Sequence, residues 1–235
     1  MTASASQLDA LLPRLGQLRD ALAQAIVGQN AVVEQLLIAL LAGGHCLLEG
    51  APGLGKTLLV RSLGQALSLD FRRVQFTPDL MPSDICGHAV LDPASGQFQI
   101  RRGPVFTHLL LADEINRAPA KTQSALLEAM AEGQVTIEGQ SFTLEPPFLA
   151  MATQNPVEQE GTYPLPEAQL DRFLLKVLIQ YPRLEDERRL VAAVTTGRDA
   201  SGFDLQQVPQ VLSGAEVIEL QRATAAIGVD AQVLD

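Results

Sequence analysis

Two groups of residues in this chain could act together on a polyphosphate. The first is Gly50-Ala51-Pro52-Gly53-Leu54-Gly55-Lys56-Thr57, where glycines separated by four residues precede a lysine and a threonine. That order is the phosphate-binding loop pattern. Its glycines let backbone N–H groups close around phosphates, the helix that follows aims its positive N-terminal dipole at them, and Lys56 can reach the terminal phosphates. Thr57 can offer a hydroxyl to Mg²⁺. The second group is Asp113-Glu114, which ends the apolar run His108-Leu109-Leu110-Leu111-Ala112. Asp113 can hold the Mg²⁺ that bridges nucleotide phosphates, and Glu114 can orient or deprotonate a water for in-line attack on the γ-phosphate.

Two further residues suit the same chemistry. The neutral amide of Asn155 could hold the attacking water or the γ-phosphate without opposing its charge, although Asn before Pro156 also suits a turn. Arg172 either pairs with Asp171 or Glu167 on the surface or serves a neighbouring subunit as an arginine finger. His45, His88 and His108 have no metal-ligand spacing and are assigned no chemistry.

Positioning these residues requires strands that end at one place. His45-Cys46-Leu47-Leu48 reads as a short buried strand before the loop, and Lys56 to Leu67 carries Leu58, Leu59, Ser62, Leu63 and Ala66 at helical spacing. Further strands are expected at Phe71 to Phe76, at His108 to Glu114, at Phe148 to Thr153 and at Phe173 to Ile179. In the first of these, Arg72 and Arg73 are read as solvent-facing or edge residues. Alternating strands and helices around a phosphate loop predict an α/β fold with a parallel, doubly wound sheet and ligands at the C-terminal strand ends.

Before that core, Leu8, Leu11, Leu15, Leu18 and Leu22 make one face of a helix over about 6–25, which starts or bends at Pro13. A second helix is expected from Asn30 to about Leu41, ended by Gly43-Gly44. Two insertions interrupt the α/β order. Gly87 to Leu91 and Gly96 to Ile100 flank Asp92-Pro93-Ala94-Ser95 as one hairpin, after a short helix start at Met81 to Ile85. Val135 to Ile137 and Ser141 to Leu144 flank Glu138-Gly139-Gln140 as the other. Between them, Pro119 is placed in the first turn of a helix running to Glu132. A short helix is expected at Glu167 to Asp171. From Pro182 the pattern is helical throughout, with Ser213 and Glu216 at capping-box spacing. The shift near Tyr181 divides the chain into 1–180 and 181–235, and the last residues, 229–235, read as a helix cut short.

Bulk properties narrow the function. Of 235 residues, 47% are hydrophobic and only 4% aromatic, which describes an aliphatic α/β core. The longest apolar run, Leu36 to Ala42, is far below the roughly 20 residues that span a bilayer, so no direct membrane insertion is expected. Cys46 and Cys86 have no metal or redox spacing, so reduced thiols in a cytoplasmic protein are expected. A net charge of −10 argues against general nucleic-acid binding.

Assembled, the motifs resemble those of MoxR-type AAA+ ATPases, in the helix-two-insert branch of ring-forming ATPases. The carriers are Gly50 to Thr57, Asp113-Glu114-Ile115-Asn116-Arg117-Ala118, Ala152-Thr153-Gln154-Asn155-Pro156 and Leu165-Pro166-Glu167-Ala168-Gln169-Leu170-Asp171-Arg172-Phe173. The likeness covers about Ile26 to Ile179. It implies that the first hairpin is the helix-two insert, that the second precedes sensor 1, that Asn155 is sensor 1, and that Arg172 is the arginine finger. Val27, Gly28 and Gln29 would border the adenine, and Leu58 would join the loop residues in holding the nucleotide.

The same resemblance implies ATP and Mg²⁺ as cofactors and a hexameric ring with nucleotide at subunit interfaces. It further implies a chaperone-like role in remodelling or maturing proteins, including metal-centre insertion, with von Willebrand factor A domain proteins as partners. Residues 181–235 would open a small helical lid whose sensor-2 arginine is expected beyond the end of this sequence. A nucleic-acid-dependent motor and a nucleotide-gated binding switch are the alternative readings. Arg101 and Arg102 favour the motor mildly, while Glu138 at a hairpin centre and the acidic balance oppose it.

Overall fold

The computed structural model describes residues 5–154, 162–195, 205 and 208–228. Its centre is a five-stranded sheet built from β1 (Cys46–Glu49), β2 (Phe71–Gln75), β5 (Leu109–Asp113), β8 (Leu149–Gln154) and β9 (Leu175–Leu178). The order across the sheet is β2-β5-β8-β1-β9, and every neighbouring pair is parallel. The expected α/β class and parallel sheet are therefore present. Strands β1, β5 and β8 lie in the interior, and the last two are apolar on both faces, as strands covered on both sides must be.

Each face of that sheet has its own hydrophobic layer. Residues alternate across a strand, so Leu48, Leu109, Leu111 and Met151 join one layer while Leu47, Leu110, Ala112 and Ala152 join the other. The first layer is covered by α1 (Ala5–Ala25), α2 (Asn30–Ala42), α3 (Lys56–Leu67) and α8 (Gly214–Ala225). The second is covered by α4 (Pro82–Cys86) and α5 (Ala120–Glu132). Two further helices, α6 (Glu167–Leu170) and α7 (Leu184–Thr195), flank β9 in sequence. No helix among the described residues is long and apolar enough to cross a membrane.

Several expectations need correction. Helix α1 covers the expected residues, with Leu11, Leu18 and Leu22 buried on the leucine face, but Pro13 lies inside it and does not start it. Burial of that face outweighs the hydrogen bond that the proline removes. Pro119 is the N-cap of α5 and precedes its first turn. The first hairpin pairs β3 (Gly87–Leu91) with β4 (Phe98–Arg102), placing its second strand two residues later than the alternation implied. The second pairs β6 (Gln134–Ile137) with β7 (Gln140–Thr143) around the two residues Glu138 and Gly139. Both have positive φ, 49° and 77°, the twist that suits a two-residue hairpin loop. Gln140 therefore pairs with Ile137 instead of sitting in the turn.

The far end of the chain packs back on the first layer. Val208, Val211, Leu212, Val217 and Leu220 are buried there, and the N–H groups of Val211 and Leu212 both donate to the carbonyl of Ala66. The Ser213 hydroxyl accepts from the Glu216 backbone while the Glu216 carboxylate accepts from the Ser213 backbone, which completes the capping box of α8. Residues 229–235 lie outside the described residues.

Candidate nucleotide site

Register brings the polar strand ends together. Arg73 lies opposite Leu111 and Gln75 opposite Asp113 on adjacent β2 and β5, while Leu111 lies opposite Met151 of β8. Because side chains alternate, Arg73, Gln75, Asp113 and Thr153 project from one face, the face on which α3 packs. The phosphate loop leaves β1 between β8 and β9, so it opens beside them.

The loop's own geometry shows why its residues are there. Gly53 and Gly55 have φ of 84° and 78°, a left-handed conformation that side chains disfavour, and Gly55 is the N-cap of α3. No atom lies within 4 Å of where their Cβ atoms would be, so space remains beside the loop for a ligand. Gly50 is needed for a different reason, since a Cβ there would stand 2.5 Å from the carbonyl oxygen of Ile179. The carbonyl of Gly50 accepts a 2.6 Å hydrogen bond from Lys56 Nζ. Burial lowers the Lys56 pKa, and the charges of Asp113 and Glu114 partly restore it.

Opposite the loop, both carboxylates are held. Asp113 Oδ1 accepts from Thr153 Oγ1 at 2.5 Å, and that hydroxyl accepts from the Glu114 N–H at 2.8 Å. Arg73 donates to Asp113 Oδ2 through Nε at 3.0 Å and Nη2 at 2.5 Å. Glu114 Oε2 accepts from Gln75 Nε2 at 2.6 Å and from Arg117 Nη1 at 2.9 Å. Glu114 has φ 57° and ψ 51°, an uncommon left-handed conformation for a residue with a side chain. This backbone ends β5 abruptly and turns the next residues into a 3₁₀ turn over Ile115–Arg117.

Two adjoining cavities meet at the loop. One, of about 490 Å³, has mostly apolar walls that include Ile26, Val27, Leu54, Leu58, Tyr181 and Val191. The other, of about 410 Å³, is lined by Lys56, Thr57, Arg73, Asp113, Glu114 and Thr153. Gly53, Gly55 and Leu58 belong to both. An apolar slot continuous with a charged one can take a molecule that has a flat base at one end and phosphates at the other.

Of the residues expected to bind nucleotide, Val27, Gln29, Gly53, Leu54, Gly55 and Leu58 line the apolar cavity. Pro52, Lys56, Thr57, Asp113 and Glu114 line the charged one. Gly28, with φ 79°, faces α7 instead, where an added Cβ would stand 2.9 Å from Asp186 Oδ2. Gly50 and Ala51 shape the loop from behind without lining either cavity. Arg172 is exposed in the turn after α6 and lines neither cavity of its own chain, and no ion pair joins it to Asp171 or Glu167. Asn155 lies outside the described residues. Sequence reasoning missed Arg73, Gln75, Arg117 and Thr153. Their signal is shared parity with Asp113, or proximity to Glu114, which becomes visible only with the strand register.

The donor set fits Mg²⁺. Among the described residues no three His, Cys, Asp or Glu side chains could hold a metal by themselves. Mg²⁺ is habitually bound by one or two protein oxygens together with phosphate and water, and Asp113 and the Thr57 hydroxyl are hard oxygen donors of that kind.

Comparison with known proteins agrees with this arrangement. The profile of the family described as "ATPase family associated with various cellular activities (AAA)" matches residues 45–175, over half of the chain. The chain is 49% identical to Chaperone MoxR1 of Mycobacterium tuberculosis over 200 residues, covering 85% of this chain and 51% of that protein. It is 45% identical to an uncharacterized Bacillus subtilis protein, YeaC, covering 94% of this chain and 67% of that one. A crystal structure of a putative ATPase from Cytophaga hutchinsonii superposes with a TM-score of 0.86 at 43% identity, covering 97% of this chain and 68% of that one. The chain thus spans between about half and two thirds of these relatives. It belongs to the MoxR family of AAA+ ATPases.

Proposed function

We propose that this protein hydrolyses ATP at subunit interfaces and uses the cycle to remodel or mature partner proteins. The observation that carries the reading is the junction at Gly53 and Gly55 of an apolar cavity with one lined by Lys56, Thr57, Asp113 and Glu114. Base and sugar occupy the first, bordered by Val27 and Gln29, and the phosphates occupy the second. The backbone N–H groups of the loop and the Lys56 ammonium bind the phosphate charge. Thr57 and Asp113 are the Mg²⁺ ligands. Bound Mg²⁺ would neutralise charge on the phosphate oxygens as the terminal phosphate leaves. Glu114 takes the proton of the attacking water once its bonds to Gln75 and Arg117 relax, and Asn155 positions that water. Arg172, exposed and outside its own cavities, stabilises the transition state in a neighbour.

This reading implies a ring, for which a hexamer is the expected size, acting in the cytoplasm. Residues 1–180 form the nucleotide-binding body. Residues 181–235 open a helical lid whose α7 walls the base pocket through Glu187 and Val191. The clients are proteins, von Willebrand factor A domain proteins among them, and insertion of a metal centre is one form the maturation takes. A net charge of −10 counts against nucleic acid as the client.

The deciding experiment measures ATP turnover against protein concentration for the full-length protein and its Arg172→Ala variant. Turnover per chain that rises steeply with concentration and collapses in the variant supports shared sites. Turnover per chain that is constant and indifferent to Arg172 removes the ring from the proposal.

A further inference from the structure

Both oxygens of Asp113 accept hydrogen bonds from protein side chains. Its Oδ1 accepts from Thr153, and its Oδ2 accepts two bonds from the guanidinium of Arg73. The same Nη2 of Arg73 also donates to Gln75 Oε1 at 2.7 Å, which fixes the guanidinium plane beside the carboxylate. Arginine keeps its positive charge at any ordinary pH, and its planar fork matches a carboxylate. The outward oxygen of Asp113 therefore already carries a cation.

Exposure separates the two partners. The Asp113 side chain is 17% exposed and pinned by Thr153, whereas the Arg73 side chain is 45% exposed on the edge strand β2. One member of the pair is fixed, and the other can swing away. Arg73 lines the same cavity as Lys56 and Thr57, so the oxygen it occupies faces the space where a metal-bound phosphate would sit. A divalent cation and a guanidinium cannot both take Oδ2 from that side.

We propose that Arg73 is a tethered cation that occupies the magnesium side of Asp113 and must be displaced when the metal–nucleotide complex enters. The inference rests on Asp113 being a magnesium ligand, as proposed above. Arg73 neutralises the carboxylate between cycles and weakens metal binding by competing for the same oxygen. Gln75 bridges the two residues, accepting from Arg73 through Oε1 and donating to Glu114 through Nε2. Release of Arg73 thus loosens the link that also engages Glu114.

The test is isothermal titration calorimetry of ADP binding with Mg²⁺ and with EDTA, giving the factor by which Mg²⁺ tightens ADP. Arg73→Ala and Arg73→Gln should each raise that factor about tenfold over wild type, while Arg73→Lys stays near the wild-type value. Asp113→Asn should reduce the factor to near one. A factor unchanged or lowered in both Arg73→Ala and Arg73→Gln, with the Asp113 effect intact, overturns the competition alone. A factor unaffected by Asp113→Asn overturns the magnesium role of Asp113 and the competition with it.

Discussion

Thr153 Oγ1 donates to Asp113 Oδ1 at 2.5 Å and accepts from the Glu114 N–H at 2.8 Å, so one hydroxyl on β8 orients both acidic residues at the end of β5. Thr153 is 1% exposed, and water cannot replace it easily. Thr153→Val keeps the shape but leaves the Glu114 N–H without its partner, which should cost about 1–3 kcal/mol. Thr153→Ser restores a hydroxyl and should recover most of that loss. Urea unfolding of the three proteins checks the order, and equal midpoints for Val and Ser would contradict it.

Glu114 combines a strained backbone with a chemical role. A left-handed residue with a side chain costs about 1–2 kcal/mol, a penalty that glycine avoids. Part of that gain is offset by glycine's greater freedom in the unfolded chain. Glu114→Gly should therefore be more stable than Glu114→Gln by about 0.5–1 kcal/mol. Both should bind nucleotide, and both should lose turnover by about 10²–10⁴-fold, the range for removing a general base. Turnover undiminished in Glu114→Gln would remove the residue from its assigned role, whatever the stabilities.

The parts of this molecule legible in sequence are those in which a residue's neighbours along the chain decide its position. Gly53, Gly55 and Lys56 belong to one loop, and α3 begins and ends where the spacing of Leu59 and Leu63 predicts. Asp113 closes a run of apolar residues that only a buried strand accommodates. Arg73 was legible only as an edge residue, because its bond to Asp113 depends on β2 lying beside β5, forty residues later. Tyr181 and Val191 line the apolar cavity for the same reason, through packing that no local spacing encodes. The hairpin loop at Glu138-Gly139 is shorter than its composition implied, since Gln140 is polar yet pairs in the ladder.

Lys56 should give the site a pH signature. Burial holds its pKa below the ordinary lysine value, so the unfolded chain retains the proton to higher pH than the native one does. Stability from this group is therefore present above the unfolded pKa and lost as pH falls through the folded one, leaving a charge-burial penalty near neutrality. Lys56→Met lacks the titration. Thermal melts from pH 7 toward pH 10 should show the wild type gaining on the variant. A gap that stays constant over that range would mean that Lys56 is not desolvated. Addition of ADP with Mg²⁺ should raise the melting temperature of the wild type and leave that of Lys56→Met unmoved.

His45, which lines neither cavity of the candidate site, supplies an acid-side dependence. Its Nδ1 lies 3.0 Å from the N–H of Ala150 and must accept, so Nε2 carries the proton and donates to the carbonyl of Met130, also at 3.0 Å. The ring stands edge-on to Phe148 and is 8% exposed, tying β8 to the end of α5 beneath β1. Protonating Nδ1 would set two donors against each other. Burial lowers the pKa, and the bond to Met130 opposes that shift only in part. The unfolded chain therefore takes up a proton near pH 6.5 while the native protein resists. Stability is complete above that pH and declines as pH falls toward the folded pKa, by at most about 1.4 kcal/mol per pH unit. Urea midpoints at pH 7.5 and pH 5.5 should differ more in the wild type than in His45→Gln. Equal losses would assign the acid sensitivity to other groups.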